Sequence, residues 1–443
     1  MLDGLTEYCT EALAEHGCPS VSVAVAERGA VVLAAAYGAA DVATGRPATP
    51  DTAYGLASVT KPMTATAVCH AADEGLLDLD APVPLPGADH RPAAPTVRQL
   101  LQHRGGLGPY YAWDYGDGER VPDPDRYTVP FRTPGTGFGY ANLGYRLLGR
   151  LLERATGQDL ATCVRERVFA PLGLTGCHLG RTYPGPAPSA LRYSSGGRAY
   201  PDYDCGHPGA TLGWAPAGEL ALFAQSYDRL LKPETAAAVR QALPVNEHLG
   251  YGLGWCLSSG DGPLVQSHGG GGPGVAAMTL VIPERALSVA VLTNSTDKAA
   301  RDAILRHVLA ELAPDCTTES ITPVTPDLPR PMTLPEGAWT GRISAPEREV
   351  PVTLRVLPDR RAELRLADTS ATAPADASEA WDLRAAFPLQ LPTADARINS
   401  PELVLNLSLV EGALTGVAHA CKNGDAEGRL GNFLSHPCRL EPA

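Results

Sequence analysis

A serine and a lysine three residues apart, Ser58 and Lys61, have the types and the spacing of a nucleophile and its base. They precede the helix-like segment MTATAVCHAADEGLL, and this separation places both side chains on one helical face. A serine hydroxyl is a weak nucleophile until a neighbouring base removes its proton, and a lysine kept uncharged by burial can be that base. The spacing therefore predicts an acyl-transfer centre. Pro62 is compatible with it only if the helix has barely begun, because proline disfavours helical dihedral angles in the preceding residue.

The composition of the basic residues supports a special role for Lys61. Of the 36 basic residues, 32 are arginine and only four are lysine. Arginine can fill any surface role but does not lose its proton in a protein, so a lysine in this chain is an exception. The Ser-x-x-Lys pattern recurs at Ser295 and Lys298, however, and the pattern alone leaves a chance match open.

Two further motifs follow Ser58 along the chain. Tyr140 and Asn142 lie between a glycine-rich loop and an apolar-periodic helix, which places a phenol and an amide at a loop-to-helix corner. His268 is followed by four glycines beside a predicted strand, and such glycines let a backbone approach a ligand closely enough for its N–H groups to bind an oxyanion. The alternatives are a buried tyrosine whose hydroxyl has a partner, and a glycine-rich loop with an incidental histidine.

The order Ser-x-x-Lys, Tyr-x-Asn, His-Gly-Gly is far more specific than any one motif, and by it the chain resembles the serine β-lactamase and penicillin-binding-protein superfamily. More narrowly, it is similar to the branch that holds class C β-lactamases and D-aminopeptidases. The resemblance covers about residues 5–312 and includes LLQHRGGL from residue 100 and YGLGW from residue 251. An α/β-hydrolase thioesterase is disfavoured, because the sequence lacks the G-x-S-x-G elbow of that fold.

The resemblance implies a role for each motif residue. Ser58 is implied to be the acylated nucleophile, while Lys61 and Tyr140 share the duties of general base and general acid. Asn142 is implied to orient Lys61 and the substrate amide. The backbone N–H groups of Ser58 and Gly271 are implied to form the oxyanion hole.

One motif departs from the family pattern. β-Lactamases and D,D-peptidases usually carry Lys-Thr-Gly or a close variant where this chain has His268, Gly269 and Gly270. The resemblance counts His268 with the catalytic residues and the two glycines with the substrate-binding ones. A titratable imidazole in place of a permanent cation weakens the attraction for a substrate carboxylate. This puts antibiotic hydrolysis in doubt and agrees with family members that act on D-amino-acid peptides, amides and esters.

The elements that must position these motifs come from both ends of a long segment. A helix and a hairpin are predicted over residues 5–36, strand patterns return between 250 and 293, and 298–312 is predicted to close as a helix. Between them, about residues 61–245 are mainly helical. We therefore expect residues 1–313 to form a β-lactamase-like domain, in which an antiparallel sheet is flanked by helices and carries a helical subdomain.

The C-terminal part of the chain has a different pattern. Residues 314–336 contain six prolines among short polar residues and are predicted to be an interdomain linker. Residues 337–443 contain short alternating runs separated by turns, which predict a small antiparallel barrel. The segment GAWTG from residue 337 resembles the W-x-G opening of a lipocalin-like first strand, although a single tryptophan in a strand is more often plain core. The second domain is therefore expected to be a small all-β lipocalin-like barrel.

The composition of the chain limits the classes of partner that the protein is expected to bind. The chain has 443 residues, 44% of them hydrophobic, and its net charge of -13 repels phosphate backbones and excludes nucleic acid. Gly and Pro interrupt every apolar run before about 18 residues, so no membrane span is expected. The acidic N-terminal segment is unlike a secretory signal and favours a cytoplasmic location. The cysteines form no C-x-x-C pair and the histidines are scattered, so no metal is expected.

The predicted location and the second domain narrow the resemblance to the penicillin-binding-protein-type thioesterases of nonribosomal peptide pathways. In that group, a catalytic domain of this kind is paired with a C-terminal lipocalin-like domain. The resemblance implies that Ser58 takes a peptidyl thioester from the phosphopantetheine arm of a carrier protein and needs no cofactor. Head-to-tail cyclisation would then release the peptide, whose acyl end is a D-residue. The alternatives are a D-stereospecific peptidase, amidase or esterase of the same fold, and a noncatalytic peptide-binding protein.

Weaker signals suggest substrate and partner contacts. Tyr110 and Trp113 are predicted to line an apolar substrate cleft, although loop aromatics often pack only the loop. Arg439 follows a cysteine in an alternating segment and would either contact substrate or lie outside the barrel. A stripe of arginines from Arg146 to Arg154 would either dock an acidic carrier domain or form an ordinary solvated helix face.

Overall fold

The computed structural model describes residues 2, 4–86, 94–118, 121–258, 262–316, 321, 329–378, 380–393, 401–421, 424–425 and 428–443. Contacts divide the chain into two compact units. The first unit comprises Met1–Ala81, Tyr145–Thr325 and Asp425–Leu430, and the second comprises Pro82–Gly144, Pro326–Gly424 and Gly431–Ala443. Each unit therefore draws on both the earlier and the later part of the sequence.

An antiparallel sheet, nine-stranded within the described residues, lies at the centre of the first unit. Its strands are β1 (Ser20–Glu27), β2 (Ala30–Asp41), β3 (Arg46–Pro47), β4 (Leu243–Pro244), β5 (Leu249–Tyr251), β6 (Cys256–Ser258), β7 (Gln266–Gly272), β8 (Val275–Ile282) and β9 (Leu287–Thr293). Their order across the sheet is β3-β2-β1-β9-β8-β7-β6-β5-β4. The helical insertion expected between the two groups of strands is present.

The helices are α1 (Leu5–Glu15), α2 (Thr60–Asp73), α3 (Val97–Leu101), α4 (Asn142–Thr156), α5 (Leu160–Val164), α6 (Pro208–Thr211), α7 (Ala217–Ser226), α8 (Pro233–Val239) and α9 (Ala299–Leu312). Further short strands are Tyr54–Gly55, Trp113–Asp114, His178–Leu179, Asp204–Cys205 and Gly213–Ala215. Among the helices of the described ranges, none combines the length and the apolarity needed to cross a membrane.

Residue size along β1 explains why both faces of the sheet can be covered. Val21, Val23 and Val25 pack into one apolar cluster with residues of α1 and α9. The intervening small residues Ala24 and Ala26 lie on the opposite face, and α7 packs on β1. The alternation of large and small apolar residues therefore permits a helix layer on each side.

The second unit contains the predicted barrel. Its strands are β10 (Gly337–Ser344), β11 (Glu349–Leu357), β12 (Arg361–Leu366), β13 (Thr369–Asp376), β14 (Leu383–Phe387), β15 (Glu402–Val410), β16 (Ala413–Cys421) and β17 (Phe433–Pro442). Each strand pairs with the next, and β10 pairs with β17, so the barrel is closed. Side chains alternate between a buried interior and an exposed outer face, as along β11. The expected fold class, a β-lactamase-like domain followed by a small all-β lipocalin-like barrel, is confirmed.

The compact units do not follow the boundaries expected from sequence. Pro82–Gly144 groups with the barrel rather than with the rest of residues 1–313. Part of the predicted linker, residues 317–320 and 322–328, lies outside the described residues. At its C-terminal end, Arg330 pairs with Ala377 in an isolated antiparallel bridge, and two neighbouring apolar side chains, Met332 and Leu334, pack on the barrel core. Because prolines surround these residues, the sequence predicted a linker and did not indicate that they pack on the barrel.

One segment between barrel strands β16 and β17, Asp425–Leu430, belongs to the first unit. Asp425 is 2% exposed and accepts hydrogen bonds from the hydroxyl groups of Ser195 (2.6 Å) and Tyr200 (2.7 Å). Burial by itself would raise the pKa of Asp425, but these hydrogen bonds outweigh it and hold the pKa below its usual value. The first unit therefore contains a buried carboxylate supplied from far along the sequence.

Candidate active site

Ser58 lies in a short 3-10 turn, Ala57–Val59, directly before α2. Ala57 has a left-handed backbone with φ of 45°, which costs free energy for an L-residue and must be held by its surroundings. The Thr60 hydroxyl donates to the Ala57 carbonyl (2.6 Å) and accepts from the Gly213 N–H (2.8 Å). These bonds fix the strained turn that presents Ser58.

Ser58 and Lys61 meet as the spacing predicts. Nζ of Lys61 lies 3.1 Å from Oγ of Ser58 and 3.2 Å from the Ala210 carbonyl oxygen. Lys61 is 0% exposed, whereas Ser58 is 9% exposed and keeps a route to solvent. Burial lowers the pKa of Lys61 well below its usual value, which the nearby Cys205 thiol opposes to a smaller extent. The neutral amine so favoured has a lone pair that can take the serine proton.

The helix start also agrees with the sequence. Since α2 begins at Thr60, Lys61 and Pro62 both lie in its first turn. Proline is tolerated there because a backbone N–H in the first turn has no helical acceptor. The condition that the helix has barely begun at Lys61 is met.

A hydrogen-bonded group of aromatic side chains lies beside Lys61. Nζ of Lys61 is 5.6 Å from the ring centre of Tyr145, and the Tyr145 hydroxyl shares a hydrogen bond with the Tyr251 hydroxyl. The Tyr251 hydroxyl lies 3.0 Å from Nε2 of His268, and Nδ1 of His268 lies 2.8 Å from the Gly269 carbonyl oxygen. Since that carbonyl can only accept, Nδ1 carries the proton and Nε2 accepts from Tyr251.

The environment of His268 strengthens the expectation that this residue, which stands where the family usually has a lysine, attracts a substrate carboxylate only weakly. Burial, and then the nearby Lys61, lower the pKa of His268 to about 3. The imidazole is therefore neutral at physiological pH, and both of its nitrogens are engaged inside the first unit. It supports Tyr251 and the strand rather than supplying a cation for a substrate carboxylate.

Strand β7 approaches the nucleophile turn at a glycine. A Cβ on Gly270 would lie 2.2 Å from the backbone oxygen of Leu56, so only glycine fits. On α9, the buried Arg301 guanidinium donates to the carbonyl oxygens of Gly270 (3.2 Å) and Ala277 (3.1 Å). The next residue, Gly271, belongs to the same unit as Ser58, and its part in an oxyanion hole stays a prediction.

Tyr140 and Asn142 belong to the second unit. The half-buried Tyr140 ring packs 4.2 Å from the His103 ring, and Nδ1 of His103 accepts a hydrogen bond from the Ala141 N–H (3.1 Å). Asn142 is 1% exposed, and its Nδ2 donates to the Tyr110 carbonyl (3.0 Å). Among the described residues, Oδ1 of Asn142 has no hydrogen-bond partner. The predicted role of Asn142 in holding an amine or a substrate amide stays a prediction.

The predicted substrate contacts receive less support. Tyr110 is 0% exposed and donates its hydroxyl to the Pro122 carbonyl (2.6 Å), and Trp113 is 3% exposed. Trp113 lies beside the Tyr111 ring, with ring centres 6.4 Å apart, so these contacts favour the alternative interpretation that the aromatic residues pack their own loop. Arg439 is exposed on the outer face of the barrel and forms an ion pair with Glu441 (2.7 Å). The interpretation that it lies outside the barrel is therefore favoured over a substrate contact.

Other residues of the first unit were not singled out from sequence. The site is supported by the Ala210 carbonyl, Tyr145 and Arg301. No local sequence motif predicts their contacts. Arg146, from the predicted arginine stripe, donates to the Gly206 carbonyl (3.1 Å) and so takes part in packing. No group of three or more His, Cys, Asp or Glu residues suited to hold a metal ion occurs among the residues that the structure describes.

Comparisons with known proteins identify the family. The Beta-lactamase family profile matches residues 5–313. Penicillin-binding protein 4 of Amycolatopsis lactamdurans is 30% identical over 365 residues, which cover 72% of this chain and 91% of that protein. D-aminopeptidase of Brucella canis is 31% identical over 171 residues, which cover 36% of this chain and 33% of that protein. The crystal structure of SurE with D-Leu has the same fold, with a TM-score of 0.65, 22% identity and 98% of each chain covered.

The profile match spans most of the chain, and the penicillin-binding protein is matched over nearly its whole length. The hydrogen-bonded Ser58 and Lys61 both lie within the matched residues. The chain belongs to the Beta-lactamase family and is a serine hydrolase of the penicillin-binding-protein type.

Proposed function

We propose that this protein is a thioesterase that accepts a peptidyl group from a carrier-bound thioester onto Ser58 and releases it by head-to-tail cyclisation. The observation that carries the acyl-transfer step is the 3.1 Å approach of Lys61 to Ser58, with the amine fully buried. The cyclisation step is proposed from the resemblance to penicillin-binding-protein-type thioesterases, in which a catalytic domain of this kind is likewise paired with a lipocalin-like domain.

In the acylation step, Nζ of Lys61 takes the Ser58 proton while Oγ attacks the thioester carbonyl. The oxyanion so formed would be bound by the N–H groups of Ser58 and Gly271. Collapse breaks the C–S bond and leaves a peptidyl ester on Ser58. The departing pantetheine thiolate takes up a proton, which Tyr140 relays from Lys61 in our proposal, so the amine returns to its neutral form.

In the release step, the amino group at the peptide's own N-terminus attacks the ester carbonyl. The amine loses a proton, the new amide bond closes the ring, and Oγ of Ser58 regains a proton. Cyclisation outcompetes hydrolysis when the bound peptide is folded back on itself, because a well-oriented intramolecular amine has an effective concentration far above that of an external nucleophile. Exclusion of water from the ester adds to this advantage.

The neutral state of His268 bears on the choice of substrate. Penicillins and D,D-peptides carry a free carboxylate, and a buried uncharged imidazole offers it little attraction. A carrier-bound thioester has no such carboxylate at its reacting end. The site therefore suits an ester, amide or thioester better than a substrate with a terminal carboxylate.

Similarity to a D-aminopeptidase and to a protein crystallised with D-Leu supports a D-residue at the acyl end. The same observations favour a second candidate, a D-stereospecific peptidase, amidase or esterase. Both functions require acylation of Ser58 and differ only in whether water or the peptide amine receives the acyl group.

The test uses a peptidyl pantetheine thioester made with either a D- or an L-residue at its acyl end. Mass spectrometry should find a product lighter than the linear acid by one water, formed faster from the D-peptide. Ser58→Ala should abolish it, whereas Ser295→Ala, the serine of the other Ser-x-x-Lys pattern, should not. A wholly linear product would leave the hydrolase and refute the cyclase. If neither product nor acyl adduct forms on the native protein, both the cyclase and the hydrolase are refuted, and the protein is a noncatalytic binding protein.

A further inference from the structure

Barrel strand β17 holds the loop that precedes the Tyr-x-Asn motif in the second unit. The backbone groups of Tyr111 and Phe433 exchange two hydrogen bonds, each of 2.8 Å. Two residues along the strand, the Ser435 hydroxyl donates to the carbonyl oxygen of Pro109. The Tyr110 peptide is therefore fixed from both sides by the barrel.

A polar chain on the outer face of the barrel strands fixes the direction of the Ser435 hydroxyl. Nδ1 of His419 lies 2.9 Å from Oγ of Ser435, and Nε2 lies 3.1 Å from Nδ2 of Asn406. Because the Ser435 hydrogen points to Pro109, its oxygen must accept from Nδ1–H, and Nε2 then accepts from the amide. Burial lowers the pKa of His419 to about 3, so the ring is neutral. A nitrogen that already carries a proton cannot take one from Ser435, and this Ser-His-Asn group is not a second nucleophile.

The anchored loop leads directly to a motif residue. The carbonyl of Tyr110 accepts the hydrogen bond from Nδ2 of Asn142. It lies between Pro109 and Tyr111, the two residues that β17 holds. The direction of the Asn142 amide, and with it the direction of its Oδ1, is thus set by a peptide that the barrel keeps in place.

A second barrel contact holds the segment that leads directly into the motif. The Phe131 ring stacks on Trp381, with ring centres 5.6 Å apart, and the Arg132 guanidinium lies 4.7 Å from the Trp381 ring centre. Arg132 also donates to the carbonyl oxygens of Ala380 (3.3 Å) and Phe138 (3.1 Å). Phe138 is two residues before Tyr140, so Arg132 links the barrel surface to the approach of the motif.

We propose that the barrel acts in catalysis as the support that keeps Tyr140 and Asn142 in their working conformation, with Ser435 and Trp381 as positioning residues. The inference rests on the roles of Tyr140 and Asn142 in the proposed function. It assigns the barrel a part in the acylation step itself, before any choice between cyclisation and hydrolysis.

The test measures acylation of the full-length protein by a D-aminoacyl p-nitrophenyl ester in single turnovers. Ser435→Ala and Trp381→Ala should each lower the acylation rate constant about tenfold with little change in ester binding, since a lost anchor misplaces the motif without altering Ser58. Trp381→Phe, which keeps the stack on Phe131, should recover most of the rate. Ser344→Ala, which removes a barrel hydroxyl bonded only within its own hairpin to Glu349 among the described contacts, should behave as wild type.

A double-mutant cycle separates positioning from general loss of stability. If Ser435 acts through Asn142, then Ser435→Ala should slow acylation in the wild-type background but not in the Asn142→Ala background. Equal effects in both backgrounds, or an unchanged rate in Ser435→Ala and Trp381→Ala, overturn the inference. Because the ester reports acylation alone, a protein that yields only linear acid would refute the cyclase and still test the positioning residues.

Discussion

Because Lys61 is uncharged in the folded protein, we expect it to take up a proton when the protein unfolds, and this uptake can be measured without any substrate. In the folded protein the amine is 0% exposed, and burial holds its pKa well below 10.5, the value expected after unfolding. At a pH between the two, the amine is neutral when folded and binds a proton when unfolded. Replacement by a neutral side chain of similar length, as in Lys61→Met, removes this proton uptake.

The sign and the size follow from linkage. A base whose pKa is lowered by folding destabilises the folded state at low pH, and this cost disappears as pH rises towards the pKa of the unfolded chain. Relative to Lys61→Met, the wild-type free energy of unfolding should therefore increase by about 1.4 kcal/mol per pH unit in that window. Equivalently, unfolding should bind about one more proton per wild-type chain.

The assay unfolds each protein in urea at constant pH and titrates the acid consumed. It needs no two-state transition, which is an advantage for a chain with two compact units. Lys232→Met, which makes the same substitution at an exposed lysine, is the matched control. Equal consumption by wild type and Lys61→Met would falsify the reasoning, because Lys61 would then be charged in the folded protein and unable to act as the base.

Three further predictions follow from the geometry. Tyr140→Phe should lower the acylation rate constant at least about 100-fold with little change in ester binding, as expected for loss of a proton relay, and stopped-flow release of p-nitrophenol measures it. Gly270→Ala should lower the free energy of unfolding by about 1–3 kcal/mol, because its methyl would meet the Leu56 oxygen; an unchanged urea midpoint would contradict the close approach. Asp425→Ala should cost about 1–3 kcal/mol at neutral pH, since Ser195 would lose its acceptor, and the difference should shrink as pH falls through the lowered pKa of Asp425.

Local patterns predicted the parts of the molecule that local geometry determines. A separation of three residues at a helix start is enough to bring Ser58 to Lys61, and strict alternation is enough to predict the barrel strands. The strain at Ala57 and the close approach at Gly270 had only one visible signal, the run of glycines after His268.

The remaining features depend on contacts between distant parts of the sequence. Nothing near Tyr110 or Trp113 in the sequence shows that both side chains are buried, because burial depends on how the loop is packed. The hydrogen bond from Tyr251 to His268 joins two motifs that were noticed separately. Asp425 lies among polar residues typical of a turn, and its burial depends on Ser195 and Tyr200, more than 200 positions earlier.

The position of Asp425 in the chain has a consequence for biosynthesis. During translation, the segment that contains Ser195 and Tyr200 leaves the ribosome long before its carboxylate partner is made. The first unit therefore cannot reach its final hydrogen bonding until the barrel strand before Asp425 has also emerged, so its last folding step waits until Asp425 has been made. Expression of residues 1–313 alone would leave the hydroxyl groups of Ser195 and Tyr200 without this acceptor, so residues 314–443 should be produced together with them.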